Sequence, residues 1–212
     1  LIENYNIDCD IIGDCNFEVA HHPSFFDSIK EQALIYSKEF GIDTKIFTKE
    51  EFKEIGHGGN EQYGAFSYKP GFAINPIKFL LGLANEAKLA GVNIFDKSPV
   101  TKIEKQSKKY KVITNNSTIT ANKIVMATNG FYKDDLIPQL NDKILPVISN
   151  IIVTKPLKNE ELDSHNYKTT NPILNARNLL YYYRLLKDNR FLFGARGDLT
   201  GSNSSGNKMF LR

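Results

Sequence analysis

Cysteine is nearly missing from this sequence, with only Cys9 and Cys15 among 212 residues. Their spacing matches neither a CxxC redox pair nor a zinc site, which needs further ligands. Both are read as reduced thiols of a cytoplasmic protein, and no metal is expected. Arginine is scarce too: five residues stand among scattered lysines behind a formal net charge of +3. That distribution does not resemble a concentrated phosphate-binding stripe, so no nucleic-acid partner is expected. No apolar run approaches the ~20 residues that span a bilayer. A secretory signal, with its basic start and small-residue cleavage site, is absent, as is any Ser/His/Asp order of a hydrolase. His21-His22 and His57 have no acid or second ligand at a recognisable spacing, and His57-Gly58-Gly59 reads as a mobile loop.

What is present suffices for a globular protein. Hydrophobic residues make up 41% of the chain, enough for an ordinary core in one or two domains. The chain opens at Leu1 and stops at Arg212 shortly after a Gly/Ser/Asn run at 201–206, so it is read as a possible fragment. Residues 15–20 alternate as a short strand. A helix over 24–40 follows, with Phe26, Ile29, Ala33, Tyr36 and Phe40 on one stripe, Ser24 as its cap and Gly41 as its left-handed stop. Thr48 and Glu51 form a capping box for a second short helix, and residues 55–64 read as a loop.

The most regular pattern begins at Gly71. Asn75 caps a helix with Pro76 at its first position, and Phe79, Leu80, Leu83, Ala84 and Ala87 form a stripe that ends at Gly91. A strand at 92–95 is predicted next, then a β-meander of three extended runs, 100–104, 110–114 and 118–121. Lys123-Ile124-Val125-Met126 reads as a strand apolar on both faces, the inner rung of a helix-covered parallel sheet, ending in Ala127-Thr128-Asn129-Gly130. A long strand over 147–155, a helical stretch near 160–163 and a hairpin of 179–185 with 190–194 complete the order.

A helix, a strand, a meander and a strand ending in Ala-Thr-Asn-Gly form a series that resembles the second half of the FAD domain in glutathione-reductase-like flavoenzymes. Within these, the likeness is to the D-amino-acid oxidase superfamily, and in particular to its glycine oxidase, sarcosine oxidase and gamma-glutamylputrescine oxidoreductase group. The residues that carry it are Gly71 with Asn75-Pro76 and Leu83-Ala84, Ala90-Gly91-Val92, Pro99 through Ile103, Ala121 through Gly130, Leu145-Pro146-Val147, Val153 through Leu157, and Tyr181-Tyr182-Tyr183-Arg184-Leu185 followed by Asp188-Asn189-Arg190 and Gly194. The resemblance implies a mixed α/β fold: a partial FAD-binding domain with the meander, plus an antiparallel substrate-domain sheet. It divides the chain into a connecting segment (1–70), an FAD-domain portion (71–145) and a substrate-domain portion (146–212).

It also implies FAD as cofactor and a small-molecule amine or amino acid as substrate, oxidised at the carbon beside nitrogen to an imine that water hydrolyses. Val100 would then lie against the adenine, and Ala127, Thr128, Asn129 and Gly130 near the adenosine and diphosphate, small residues letting main chain approach a ligand. The same turn also reads simply as a strand end. Strand alternation sends Tyr182 and Arg184 to one face, where a phenol and a guanidinium fork suit a substrate carboxylate; equally, they are packing residues on a sheet surface. The family's Gly-x-Gly-x-x-Gly fingerprint, which grips the pyrophosphate at a helix N-terminus, does not occur in these 212 residues. These residues alone are therefore expected to bind FAD poorly and to be inactive. Two other readings stay open, the oxidase domain of a tRNA-modifying enzyme and a truncated non-catalytic product.

Overall fold

The structure, a computed structural model, describes residues 1–129, 136–141, 143 and 148–198. Gly130, residues 145–147 and the run at 201–206 lie outside the described residues. The chain divides into two compact units, Leu1–Leu83 with Ile148–Arg212, and Ala84–Val147.

The first unit is built on a seven-stranded sheet. Strand β1 (Asn16–Val19) buries Phe17 and Val19 on one face and turns Glu18 to the other, the two-residue period of a pleated strand. A 3-10 turn, Pro23–Phe25, then leads into helix α1 (Phe26–Phe40). Ser24 therefore does not cap the α-helix as expected: its own N–H is capped by the His22 ring, at 3.3 Å from Nδ1, because Pro23 opens the tighter turn first. Gly41 stops α1 at φ 64, the left-handed conformation that glycine adopts at least cost. Strand β2 (Asp43–Phe47) follows, then α2 (Lys49–Ile55). The capping box of α2 is complete: the Thr48 hydroxyl accepts the Glu51 N–H at 3.2 Å and the Glu51 carboxylate accepts the Thr48 N–H at 2.7 Å.

Strand β3 (Ala65–Lys69) pairs with both β1 and β2. Helix α3 (Pro76–Leu89) starts as the sequence requires, with Asn75 Oδ1 accepting the N–H groups of Ile77 and Lys78 at 3.1 and 3.3 Å. Its stripe is only partly inward, since Leu80 is 65% exposed. In the later part of the chain lie β7 (Ile148–Pro156), α4 (Asn159–Ser164), β8 (Ile173–Asn175), β9 (Tyr181–Leu185) and β10 (Arg190–Asp198). The sheet order is β2-β3-β1-β8-β9-β10-β7, antiparallel throughout except where β8 runs parallel to β1.

Two cores sandwich this sheet. On one face Phe17, Val19, Phe47, Phe52, Ala65 and Ile173 pack together with Tyr167 and Tyr183. On the other, α1 presses Ile29 and Ala33 onto Ala20 and Phe66. Phe52, Phe66 and Ile173 are fully buried, each contributing about 1.5–3 kcal/mol of apolar transfer. Truncating Phe66 to alanine would remove about 3–5 kcal/mol, because a cavity is left beneath α1.

The second unit is the predicted meander: β4 (Val100–Gln106), β5 (Lys109–Thr114) and β6 (Thr118–Ala121), antiparallel in the order β4-β5-β6. The strands expected around it do not form. Residues 92–95 and 123–128 take no regular structure, with Phe95 68% and Val125 87% exposed. A strand exists only through a neighbour that takes up its N–H and C=O groups. Among the described residues, none pairs with either segment.

Candidate functional site

Register places one row of residues straight across the first unit's sheet. Phe66 on β3 opposes Glu18 on β1, Glu18 opposes Leu174 on β8, Leu174 opposes Tyr182 on β9, and Tyr182 opposes Gly194 on β10. Helix α1 covers the Phe66 end of this face. The Tyr182 ring lies over Gly194, where a Cβ would sit inside the ring. Its hydroxyl is 2.7 Å from the Ser149 hydroxyl on β7. Sequence alternation is thus obeyed: Tyr182 and Arg184 share a face, and Tyr183 points to the opposite one.

Their polar ends nevertheless go to different partners. The Arg184 guanidinium donates to the Ile74 carbonyl at 3.0 Å, just before α3. It lines an open cavity of about 510 Å³ with Asp10, Asn75, Val153, Asp188 and Leu192 among its walls. The carboxylates there are already engaged. Asp10 pairs with Lys78 at 2.7 Å, a hydrogen bond that holds its carboxyl below the usual range, and Asp188 pairs with Arg190 at 2.7 Å. Among the described residues Arg184 has no carboxylate partner. A half-buried guanidinium with donors to spare beside a cavity is suited to a planar anion such as a carboxylate.

His57, expected in a mobile loop, is packed on the opposite face. Its Nδ1 accepts the Gly59 N–H at 3.1 Å, and its Nε2 lies 2.8 Å from the Tyr183 hydroxyl. A backbone N–H only donates, so Nδ1 carries no proton and Nε2–H donates to the tyrosine oxygen. The ring stacks on Tyr167 with an interplanar angle of 4°, and burial pushes its pKa down to about 4. This is a neutral core histidine bracing the back of β9. No local sequence signal marks its contact with Tyr183, which lies 126 positions away on β9.

In the second unit, Val100 opens β4 opposite Thr114 and is half-buried. Ala127, Thr128 and Asn129 are exposed, and Asn129 takes the left-handed φ of 54. Small exposed side chains on a turn leave main chain open to close approach, which fits the adenosine end of a dinucleotide. Among the described residues, no group of three or more His, Cys, Asp or Glu is placed to hold a metal. No helix there is long and apolar enough to cross a membrane.

Comparison with known proteins gives a consistent picture. Residues 1–209 match the family described as DAO, FAD dependent oxidoreductase. A probable oxidoreductase OrdL of Haemophilus influenzae is 33% identical over 202 residues, covering 92% of this chain and 45% of that protein. Gamma-glutamylputrescine oxidoreductase of Escherichia coli is 26% identical, covering 91% of this chain and 44% of that protein. The chain thus spans a little under half the length of these relatives. In structure it is similar to glycine oxidase from Geobacillus kaustophilus, with a TM-score of 0.71 at 18% identity, covering 99% of this chain and 55% of that one.

Proposed function

We propose, from the premise that this chain belongs to the family of FAD-dependent oxidoreductases, that the full-length protein oxidises a small amine or amino acid at the carbon next to nitrogen. The names of its relatives, a gamma-glutamylputrescine oxidoreductase and a glycine oxidase, support this substrate class. The observation that carries the reading at the site is Arg184, a half-buried guanidinium on the face it shares with Tyr182 that has no carboxylate partner among the described residues.

In this reading Arg184 receives a substrate carboxylate in its fork and fixes which end of the molecule faces the reacting centre. Tyr182, held flat over Gly194 by its hydroxyl contact to Ser149, forms a rigid wall beside it. Val100, Ala127, Thr128, Asn129 and Gly130 serve the adenosine end of FAD. FAD supplies the two-electron acceptor for the hydrogen removed from the substrate carbon. The substrate nitrogen must reach that step unprotonated, since its lone pair forms the new C=N bond, and water then hydrolyses the imine. No strong acid or base from this chain is required.

The test is anaerobic mixing of the FAD-loaded full-length protein with a panel of amines, amino acids, hydroxy acids and polyol phosphates, following the bleaching of flavin absorbance. Reduction by at least one amine or amino acid is expected. Reduction by a hydroxy acid or polyol phosphate alone would refute the assignment. Arg184→Lys should raise KM for an amino-acid substrate about tenfold or more, because the fork that makes two parallel hydrogen bonds is lost.

A further inference from the structure

Lys187 lines the same open cavity as Arg184 and has no role in the reading above. It sits at the tip of the β9–β10 hairpin, in a turn closed by two backbone hydrogen bonds. The Asn189 N–H donates to the Leu186 carbonyl at 3.0 Å and the Leu186 N–H to the Arg190 carbonyl at 2.8 Å. The carboxylates of these walls, Asp188 and Asp10, are turned to other groups. Asp188 accepts from Arg190 Nε at 2.7 Å with one oxygen and from the Arg190 N–H at 3.3 Å with the other. Asp10 accepts from Lys78 Nζ at 2.7 Å with one oxygen and from the Asn75 amide at 3.2 Å with the other. Among the described residues Lys187, like Arg184, belongs to no ion pair. Its field nevertheless reaches into the cavity. Behind the hydrogen bonds from Lys78 and Asn75, the Lys187 charge helps hold the Asp10 carboxyl below the usual range. Aliphatic wall is supplied by Ile12, Val153 and Leu192.

We propose that Lys187 is a specificity-determining residue of this site, receiving a second anionic group of the substrate while Arg184 holds the first. The substrate class is then an amino acid with an acidic side chain. The inference rests on the reading of Arg184 as the partner of a substrate carboxylate. Two unpaired cations on one cavity repel each other. A ligand with an anionic group for each relieves that repulsion, whereas a monoanion leaves one of them unanswered.

The two cations are suited to different tasks. Arg184 is half-buried, and its rigid fork fixes the orientation of the carboxylate it receives. Lys187 is exposed, and its ammonium on a flexible stem accepts a carboxylate from many directions. Arg184 therefore sets the reacting end of the molecule, and Lys187 reads the charge at the other end with tolerance for arm length. The methylene groups of such an arm lie against Ile12, Val153 and Leu192.

The experiment compares aspartate with asparagine, and glutamate with glutamine, both enantiomers of each, as substrates of the FAD-loaded full-length protein. Each pair differs by one charge at nearly constant shape. The expected result is a preference for the acidic member, measured as the ratio of the two kcat/KM values. In Lys187→Gln that ratio should fall about fivefold, the upper range for a solvent-accessible ion pair. Lys187→Arg, which keeps the charge, should retain most of it. Because the contact is exposed, the wild-type ratio should also fall as salt is raised from about 0.01 M to about 1 M, and the Lys187→Gln ratio should respond much less. Flavin absorbance and the thermal midpoint report whether each variant is folded. A wild-type enzyme without an acidic preference overturns the Lys187 assignment and leaves amino-acid oxidation standing. So does a Lys187→Gln variant that keeps the wild-type ratio. A wild-type enzyme that oxidises amines but none of these four amino acids also overturns it. A wild-type enzyme that oxidises neither amines nor amino acids overturns both readings.

Discussion

His57 binds a proton less readily in the folded chain than in the unfolded one. Burial lowers its pKa to about 4 in the folded chain, against about 6.5 when unfolded. Between those values the unfolded chain binds a proton that the folded one refuses, so stability is full above about pH 6.5 and falls as pH drops toward 4. The loss should reach about 2–3 kcal/mol. Urea titrations at neutral and acid pH check this, and His57→Gln should flatten the dependence; an unchanged slope in that variant would mean the acid sensitivity originates elsewhere. Gly194 gives a second test. Gly194→Ala puts a methyl group into the Tyr182 ring, an overpacking expected to cost about 1–3 kcal/mol. Adding Tyr182→Ala should recover part of that loss in a double-mutant cycle by thermal denaturation. The shared face of Tyr182 and Arg184 was legible from alternation alone. Their partners were not: Ser149 lies 33 positions from Tyr182, Ile74 lies 110 from Arg184, and Tyr183 lies 126 from His57. No local pattern encodes contacts of that range.

Elements whose hydrogen bonds close locally are those the sequence announces. The Thr48–Glu51 box, the Asn75-Pro76 start of α3 and the Gly41 stop depend on residues a few positions apart, the three-stranded meander on residues no more than 14 apart, and all are present. Thr48→Ala should accordingly cost about 1 kcal/mol, read as a lowered denaturation midpoint, with Thr48→Ser losing much less. Strands that need a distant partner behave otherwise. Strand β8 has three residues and persists because β1 and β9 flank it; nothing in Ile173-Leu174-Asn175 alone sets it apart from a loop. Strand β2 carries Asp43 and Lys45 with little apolar alternation, so its pairing with β3 leaves no period to read. Residues 123–126 are the converse, apolar enough for an inner rung yet without a neighbour among the described residues. Their exposed Val125 follows from that lack of pairing rather than from poor β-propensity.

At the scale of the whole chain, the first unit is assembled from two segments separated by the second unit. Sequence order therefore hides that β1, β2 and β3 share a sheet with the β9–β10 hairpin. The cofactor prediction belongs at this scale too. Gripping a dinucleotide pyrophosphate takes several backbone donors at a helix N-terminus, supplied in this family by a Gly-x-Gly-x-x-Gly turn. That turn is absent from the 212 residues. Each charge-assisted hydrogen bond lost is worth about 1.5–3 kcal/mol, so the loss of even three weakens binding by a factor on the order of a thousand or more. What remains, the small-residue turn proposed for the adenosine end, contributes little charge. Titrating FAD into these residues alone should give weak or undetectable quenching of flavin fluorescence, whereas the full-length protein should take up one FAD tightly. Tight, stoichiometric uptake by the 212 residues alone would mean that the phosphates are held by groups other than a glycine-rich helix start.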